Sequence, residues 1–241
     1  MTTPRLTVSI VSHGHHRHVE ALLNDLNQVT QLDFEVILTV NIPEPPIPES
    51  GWRFPLQTVH NPSPLGFGAN HNAAFERARG DYFLVLNPDI RVEPGAFVPL
   101  LLAYEDPRIG LCAPVVVNDQ GQTEDSVRRF PTLWRLIKRA VTGHHDTVTL
   151  KPGRLNPVDW VAGMFMLFRR EAFASVKGFD AERFFLYYED VDICQRLHHQ
   201  GWQVVVQPAA SVVHNAQRSS HRQLRFALWH ATSAARFLLR I

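Results

Sequence analysis

The chain has 241 residues, 45% hydrophobic and 20% charged, a balance that excludes disordered and fibrous classes and suits one large α/β domain. Its net charge of +1 hides an asymmetry: residues 193–241 carry six Arg and no Asp or Glu, which leaves 18 basic residues against 23 acids in the rest. A basic tail on an acidic body points to an anionic partner, a phosphate-bearing surface or nucleic acid.

In chain order, Leu6–Ser12 (LTVSIVS) predicts a first strand, and SHGHHRH leads into a helix with Val19, Leu22, Leu23 and Leu26 on one face. The apolar run at its start is too short for a signal peptide, and no stretch approaches the roughly 18 apolar residues of a membrane span, so a cytosolic protein is expected. Phe34–Val40 predicts a second strand, followed by a proline-rich loop. Leu56–His60 is a third strand, and NPSPLGFGANHN opens a helix through Ala73, Ala74, Phe75 and Ala78 to Gly80. The apolar run Tyr82–Leu86 is a fourth strand that passes directly into Asn87-Pro88-Asp89. Strands alternating with helices or long crossovers imply a mostly parallel, three-layer sheet.

A helix near 96–104, a strand Ile109–Val117 and a turn at 118–121 follow. The basic stretch around 133–141 is an amphipathic surface helix or an interfacial helix on anionic lipid. VDWVAGMFMLF (158–168) predicts one strand, and residues 189–200 a helix stopped by Gly201. Further strands are expected at 202–207 and 211–213, the second running into His214. A last helix over 221–241 sets an apolar face against Arg222, Arg225, Arg236 and Arg240. Cys112 and Cys194 lack CxxC spacing and read as core thiols.

Some of these residues could carry chemistry. Asp89 lies at the C-terminal end of a strand, the edge where open α/β sheets bind ligands, although Asn, Pro and Asp also make ordinary turns. Through a hard oxygen it could hold a divalent metal, and His214 at another strand end could complete the site; mixed oxygen and nitrogen ligation suits Mn2+ or Mg2+. Gly66-Phe67-Gly68 lacks the third glycine of a dinucleotide fingerprint, and no GxxxxGK[ST] occurs, so NAD and P-loop chemistry are set aside. What remains at Gly66 is a glycine-rich approach to a helix N-terminus, able to meet a ligand closely or simply to pack helix on strand. Glu189 and Asp190, after FFLYY, either cap a helix or provide a general base.

The series VSIVSHG, LGFGANHNAAF, GDYFLVLNPD, WVAGMFMLFRREAF, GFDAERFFLYYEDVDICQRL and QPAASVVH resembles, in order and spacing, the glycosyltransferase family 2 enzymes, most closely their rhamnosyltransferase-like branch. The likeness covers the chain from about Leu6 to His214. It implies the A-type nucleotide-sugar transferase fold, a cytosolic enzyme, and inversion at the anomeric carbon. A nucleoside-diphosphate sugar would be the donor and a glycan or lipid-linked sugar the acceptor. Carried over, Asn87-Pro88-Asp89 resembles the DxD-type metal motif with Asp89 on the metal, and His214 the late histidine that joins metal or diphosphate. Asp190 matches the catalytic base, with Glu189 as its neighbour on the acceptor side. Ser12 and the loop after Val40, beginning at Asn41, would face base and ribose; Asn72 would lie near the donor, Gly163 beside the sugar pocket, and Arg128 or Arg129 near the diphosphate.

Two departures stand out. Asn87 replaces the first aspartate of DxD, which removes one negative charge, and TVNIP stands where VDN is common, which removes a base-reading carboxylate. The expected organisation is a transferase domain over 1–215 and a basic amphipathic helix over 216–241, packed on the domain or lying at the inner face of the cell membrane. The competing function is a catalytically degenerate transferase fold used for docking. Nucleic-acid binding fits poorly, because no recognised motif accompanies the basic tail.

Overall fold

The computed structural model describes residues 5–132, 134–135, 148–214 and 224–239. The expected helix at 133–141 and the start of the expected last helix fall largely outside these. The elements in order are β1 (Leu6–Ser12), α1 (His16–Leu26), β2 (Phe34–Val40), β3 (Leu56–His60), α2 (Phe67–Phe75), β4 (Tyr82–Leu86), β5 (Ile90–Val92), α3 (Phe97–Leu102, with a 3-10 turn at either end), β6 (Ile109–Val117), β7 (Val127–Arg128), β8 (Asn156–Pro157), β9 (Trp160–Val161), β10 (Phe165–Arg169), α4 (Arg170–Ser175), α5 (Glu189–His199), β11 (Gln203–His214) and α6 (Leu224–Leu239).

The main sheet runs β3-β2-β1-β4-β10-β6-β11-β5, with β8 on β11; β7 and β9 form a separate pair. β1, β2, β3 and β4 are parallel neighbours, as are β6 and β11, while β10, β5 and β8 run against them. The sheet is therefore mostly parallel, as the alternation of strands and helices predicts. Both of its faces are buried because successive side chains point to opposite sides. Leu84 and Leu86 join α1 and α3 in one apolar layer. Phe83 and Val85 join α2, α4 and α5 in the other. Phe173 centres the second layer, with Phe75, Phe83, Phe168 and Phe179 at ring-centroid distances of 4.6, 5.1, 4.9 and 5.5 Å. Truncating such a ring to Ala removes about 3–5 kcal/mol.

Three expectations need correction. The helix expected to reach Gly80 ends at Phe75, because the chain must turn to enter β4. There the Arg79 and Gly80 N–H groups are taken by Glu35 Oε1 at 2.8 Å and Thr7 Oγ1 at 2.9 Å, and a Cβ on Gly80 would lie 2.5 Å from the Thr7 nitrogen. The apolar run 158–168 is two strands separated by a turn at 162–164 rather than one. The strands expected at 202–207 and 211–213 are one long strand, β11, with an irregularity between Gln207 and Ser211. The short strand β5 was not foreseen. Cys112 and Cys194 are both buried and free. No helix among the described residues is long and apolar enough to cross a membrane.

Candidate active site

The parallel strands place Ser12, Asn41, Asn61, Asn87 to Asp89 and His214 at one edge of the sheet. Because β10 runs the other way, the turn before it, at 162–164, reaches the same edge. This turn joins three parts of the site. Ala162 N–H donates to Ser126 O at 2.8 Å, Gly163 N–H to Asp190 Oδ2 at 3.1 Å, and Met164 O accepts Asn87 N–H at 2.9 Å. Asn87 and Asp190 are thus tied to neighbouring residues, whose Cα atoms are about 3.8 Å apart. A Cβ on Gly163 would stand 3.2 Å from the end of the Phe67 ring and 3.8 Å from Asp190 Cβ, a tight fit between α2 and α5.

Asp190 and Glu189 open α5, where the helix N-terminus favours negative charge. Glu189 is 6% exposed, and its Oε2 is buried without a partner. Burial first, and the neighbouring Asp190 charge second, push its carboxyl up to about 8. Asp190 is partly exposed. Burial raises its carboxyl too, against hydrogen bonds from the Val191 and Gly163 N–H groups and the charge of Arg128. Burial thus pushes both carboxyls up, and the Asp190 charge adds to the rise at Glu189; of the two, Asp190 has the N–H donors and the cation that favour its ionised form. The two residues before the pair, Tyr187 and Tyr188, have φ of 71° and 70°, left-handed values that aromatic residues rarely adopt.

Asp89 and His214 meet at the same edge. Asp89 Oδ2 lies 3.3 Å from His214 Nε2, and Asp89 Oδ1 is buried with no partner. His214 Nδ1 is held at 2.6 Å by Glu124 Oε2, which orients the ring. Asp89 chiefly, with Glu124, pushes the imidazole up to about 9. His15 also senses Asp89, although burial dominates and lowers its pKa. Among the described residues no group of three or more His, Cys, Asp and Glu converges as a ready metal cage. Asp89 Oδ1 is nonetheless an unpartnered oxygen that suits a divalent ion completed by ligand oxygens, and His214 would join it only on giving up the proton that Asp89 and Glu124 stabilise and its Nε2 contact with Asp89 Oδ2.

On the other side of the edge, Asn41 Oδ1 accepts Leu65 N–H at 2.9 Å and Asn61 Nδ2–H at 2.8 Å, while Asn61 also donates to Asn70 Oδ1 at 2.6 Å. Ser12 Oγ accepts His15 N–H at 3.3 Å and borders a cavity of about 110 Å³ with His16, Glu44, Thr58 and His60. His16 Nδ1, Glu44 Oε2 and Thr58 Oγ1 are all buried there without partners. A larger cavity, about 320 Å³, lies at the opposite edge beside Arg5, Tyr82 and Tyr104 and holds none of the residues singled out by sequence.

Residues 50–230 match the family described as glycosyltransferase like family 2. The chain belongs to that family. Among curated relatives of this family 2 glycosyltransferase, an N-acetylglucosaminyl-diphospho-decaprenol L-rhamnosyltransferase of Mycobacterium tuberculosis is 32% identical over 91% of this chain and 79% of its own length. Rhamnosyltransferase WbbL of Escherichia coli is 30% identical over 97% and 92%. The resemblance to the rhamnosyltransferase-like branch is thus borne out. Two solved structures share the fold: GalNAc-T7 with UDP, GalNAc and Mn2+ (TM-score 0.66, 16% identity, 88% of this chain and 43% of that one), and the Pyrobaculum calidifontis mannosyltransferase PcManGT with GDP-Man and Mn2+ (0.65, 15%, 100% and 65%). The A-type transferase fold is the one observed.

The remaining residues singled out by sequence fall into two groups. Arg128 approaches the centre, 2.8 Å from Asp125 and with its guanidinium 5.7 Å from the Trp160 ring centroid, whereas Arg129 is exposed and offers its carbonyl to Trp160 Nε1 at 3.0 Å. Asn72 has both amide atoms engaged by the Phe179 backbone, at 2.8 and 2.9 Å, and Gly66 packs against Phe185, whose carbonyl oxygen a Cβ would meet at 2.4 Å. Both serve to dock α2 on the loop ahead of α5. Sequence reasoning missed Glu124, His15, Glu44 and the turn at 162–164. The turn had one local mark, Gly163, already singled out beside the sugar pocket; Glu124, His15 and Glu44 have none, since each matters through a partner far away in the chain.

Proposed function

We propose that this family 2 glycosyltransferase is an inverting, metal-dependent hexosyltransferase. It moves a sugar, rhamnose by analogy with the named relatives, from a nucleoside-diphosphate donor to a hydroxyl of a lipid-linked glycan in bacterial surface polysaccharide synthesis. The observation that carries this reading is the Glu189 and Asp190 pair at the start of α5, one carboxyl buried and the other partly exposed, tied through the 162–164 turn to the Asn87-Pro88-Asp89 segment. Asp190 takes the proton of the acceptor hydroxyl as that oxygen attacks the anomeric carbon. A neutral Glu189 beside it accepts no competing proton and can donate a hydrogen bond to the acceptor. One displacement needs one base and inverts the centre, unlike the two-carboxylate chemistry of retaining hydrolases.

Mn2+ or Mg2+ held by Asp89 and His214 would supply positive charge to the departing diphosphate. Glu124 fixes the His214 ring for that task, and Arg128 adds cationic charge beside Asp190. The cavity beside Ser12 takes the nucleotide base, because three unpartnered polar atoms there can satisfy an edge bearing donors and acceptors. Glu44 then supplies the carboxylate missing from TVNIP. The acid-free, Arg-bearing tail supports a position against the anionic inner face of the cell membrane, where a lipid-linked acceptor would lie.

The test is transfer from uridine- or thymidine-diphosphate rhamnose to a short-chain N-acetylglucosaminyl-diphospho-prenol. Asp190→Asn keeps the shape but loses basicity, so turnover falls about 10²-fold or more while donor affinity persists. Near-normal turnover in this variant would remove Asp190 from the role.

A further inference from the structure

Two consecutive left-handed tyrosines immediately before a pair of functional carboxylates need an explanation, since such backbone persists only where the surroundings over-determine it. On one side the segment rests on α2, where Phe67 N–H donates to Phe185 O at 3.2 Å and Gly66 leaves room for that carbonyl. The other side is covered by α6. Trp229 packs on Phe185 at 5.2 Å between centroids, His230 on Tyr187 and Tyr188 at 5.3 and 5.4 Å, and Phe237 on Tyr188 at 5.6 Å. Ser233 Oγ donates to Leu186 O at 2.9 Å. Arg183 and Arg236 exchange guanidinium-to-carbonyl hydrogen bonds at 3.0 and 2.6 Å. Residues 229, 230, 233, 236 and 237 recur at helical spacing, so a single face of α6 makes all of these contacts. Ser233 and Phe237, 5% and 7% exposed, form its centre.

We propose that α6 is a positioning element of the active site: its Ser233 and Phe237 face clasps the Tyr187–Tyr188 turn against α2 and thereby sets the aim of Asp190 and Glu189. The helix touches no reacting atom in this scheme; it acts through the turn. A carboxylate displaced by about 1 Å loses up to 10²-fold in rate with little change in donor binding, which is the signature expected when the clasp is loosened. The proposal rests on Asp190 being the base, so the experiment separates the two ideas.

The full-length chain is compared with Ser233→Ala, Ser233→Thr and the Ser233→Ala/Phe237→Ala pair, using the rhamnosyl donors and prenol acceptor named above together with amide hydrogen exchange. In the double variant kcat is expected to fall about tenfold or more with donor KM within about twofold. Amides 185–190 should exchange at least ~10-fold faster while those of β1 and β4 are unchanged. Ser233→Thr, which keeps the hydroxyl, should behave like the parent, and Ser233→Ala should show a smaller effect in the same direction. Unchanged exchange at 185–190 in the folded double variant would overturn the proposal. So would a fall in kcat accompanied by faster exchange throughout β1 and β4, which is general destabilisation. Should the double variant fail to fold, exchange in Ser233→Ala alone decides. Fast exchange confined to 185–190, combined with full turnover by Asp190→Asn, would leave the clasp standing and refute the base assignment instead.

Discussion

Glu189→Gln tests the division of labour between the two carboxyls, because it replaces a group that is neutral in the folded protein by a neutral isostere. In the unfolded chain Glu189 titrates near 4.5, and in the folded one near 8. Between those values the folded state holds a proton that the unfolded state has released, so this residue's contribution is fully present below 4.5 and is lost as pH rises through about 8. At ~1.36 kcal/mol per pH unit, the loss accumulated over that interval is about 5 kcal/mol, part of which belongs to the pair because burial raises Asp190 as well. The glutamine variant has no such proton to lose. Urea melts at pH 5, 6, 7 and 8 should therefore show Glu189→Gln gaining on the parent by roughly 1 kcal/mol per unit, up to about 3–5 kcal/mol. Turnover at pH 7 should stay within about tenfold of the parent, since only about a tenth of Glu189 is ionised there. Parallel stability profiles for the two proteins would refute the buried, protonated Glu189.

Asp89→Ala should abolish the Mn2+-dependent part of nucleoside-diphosphate binding in calorimetry while the fold persists, and an unchanged metal dependence would take Asp89 out of the site. Gly66→Ala drives a Cβ to 2.4 Å from Phe185 O, so it should destabilise by about 1–3 kcal/mol and lower kcat by shifting the turn ahead of Asp190; an intact melting temperature and turnover would contradict the packing argument. Liposome sedimentation should show the chain binding anionic vesicles in a salt-sensitive way that weakens when Arg222, Arg225 and Arg240 become Gln, each Arg contributing about 1 kcal/mol; Arg236, expected from sequence on the polar face, is left out because it packs against Arg183. Equal, salt-insensitive partitioning would sink the membrane proposal.

The strands that pair in parallel were legible because their signal is local: LTVSIVS, FEVILTV and YFLVL are short apolar runs bounded by turn residues, and the structure gives them the predicted bounds. The elements that were misread depend on distant partners. WVAGMFMLF carries a single mark of a break, Gly163, inside an otherwise continuous apolar run, and Ala162 to Met164 leave the sheet so that their backbone groups can meet Ser126, Asp190 and Asn87. β5 is only Ile-Arg-Val and exists because β11 offers it an open edge. Glu124 sits in a polar turn and gains meaning only when His214, 90 residues later, arrives beside it.

Tyr187 and Tyr188 make the same point more sharply. Sequence rules assign left-handed backbone to glycine or asparagine, so two tyrosines in that region could not have been read from the chain. A glycine here would relieve the strain, but it would also remove the rings through which His230 and Phe237 grip the turn. The local conflict is therefore tied to the contacts that compensate for it. Conflicts of this kind concentrate where geometry matters for chemistry, and this one ends at the carboxyl pair. What sequence conveys well is which carboxylates are candidates. How they are aimed depends on α2, the 162–164 turn and α6 closing around them, three segments that are remote from one another in the chain and meet only in the folded protein.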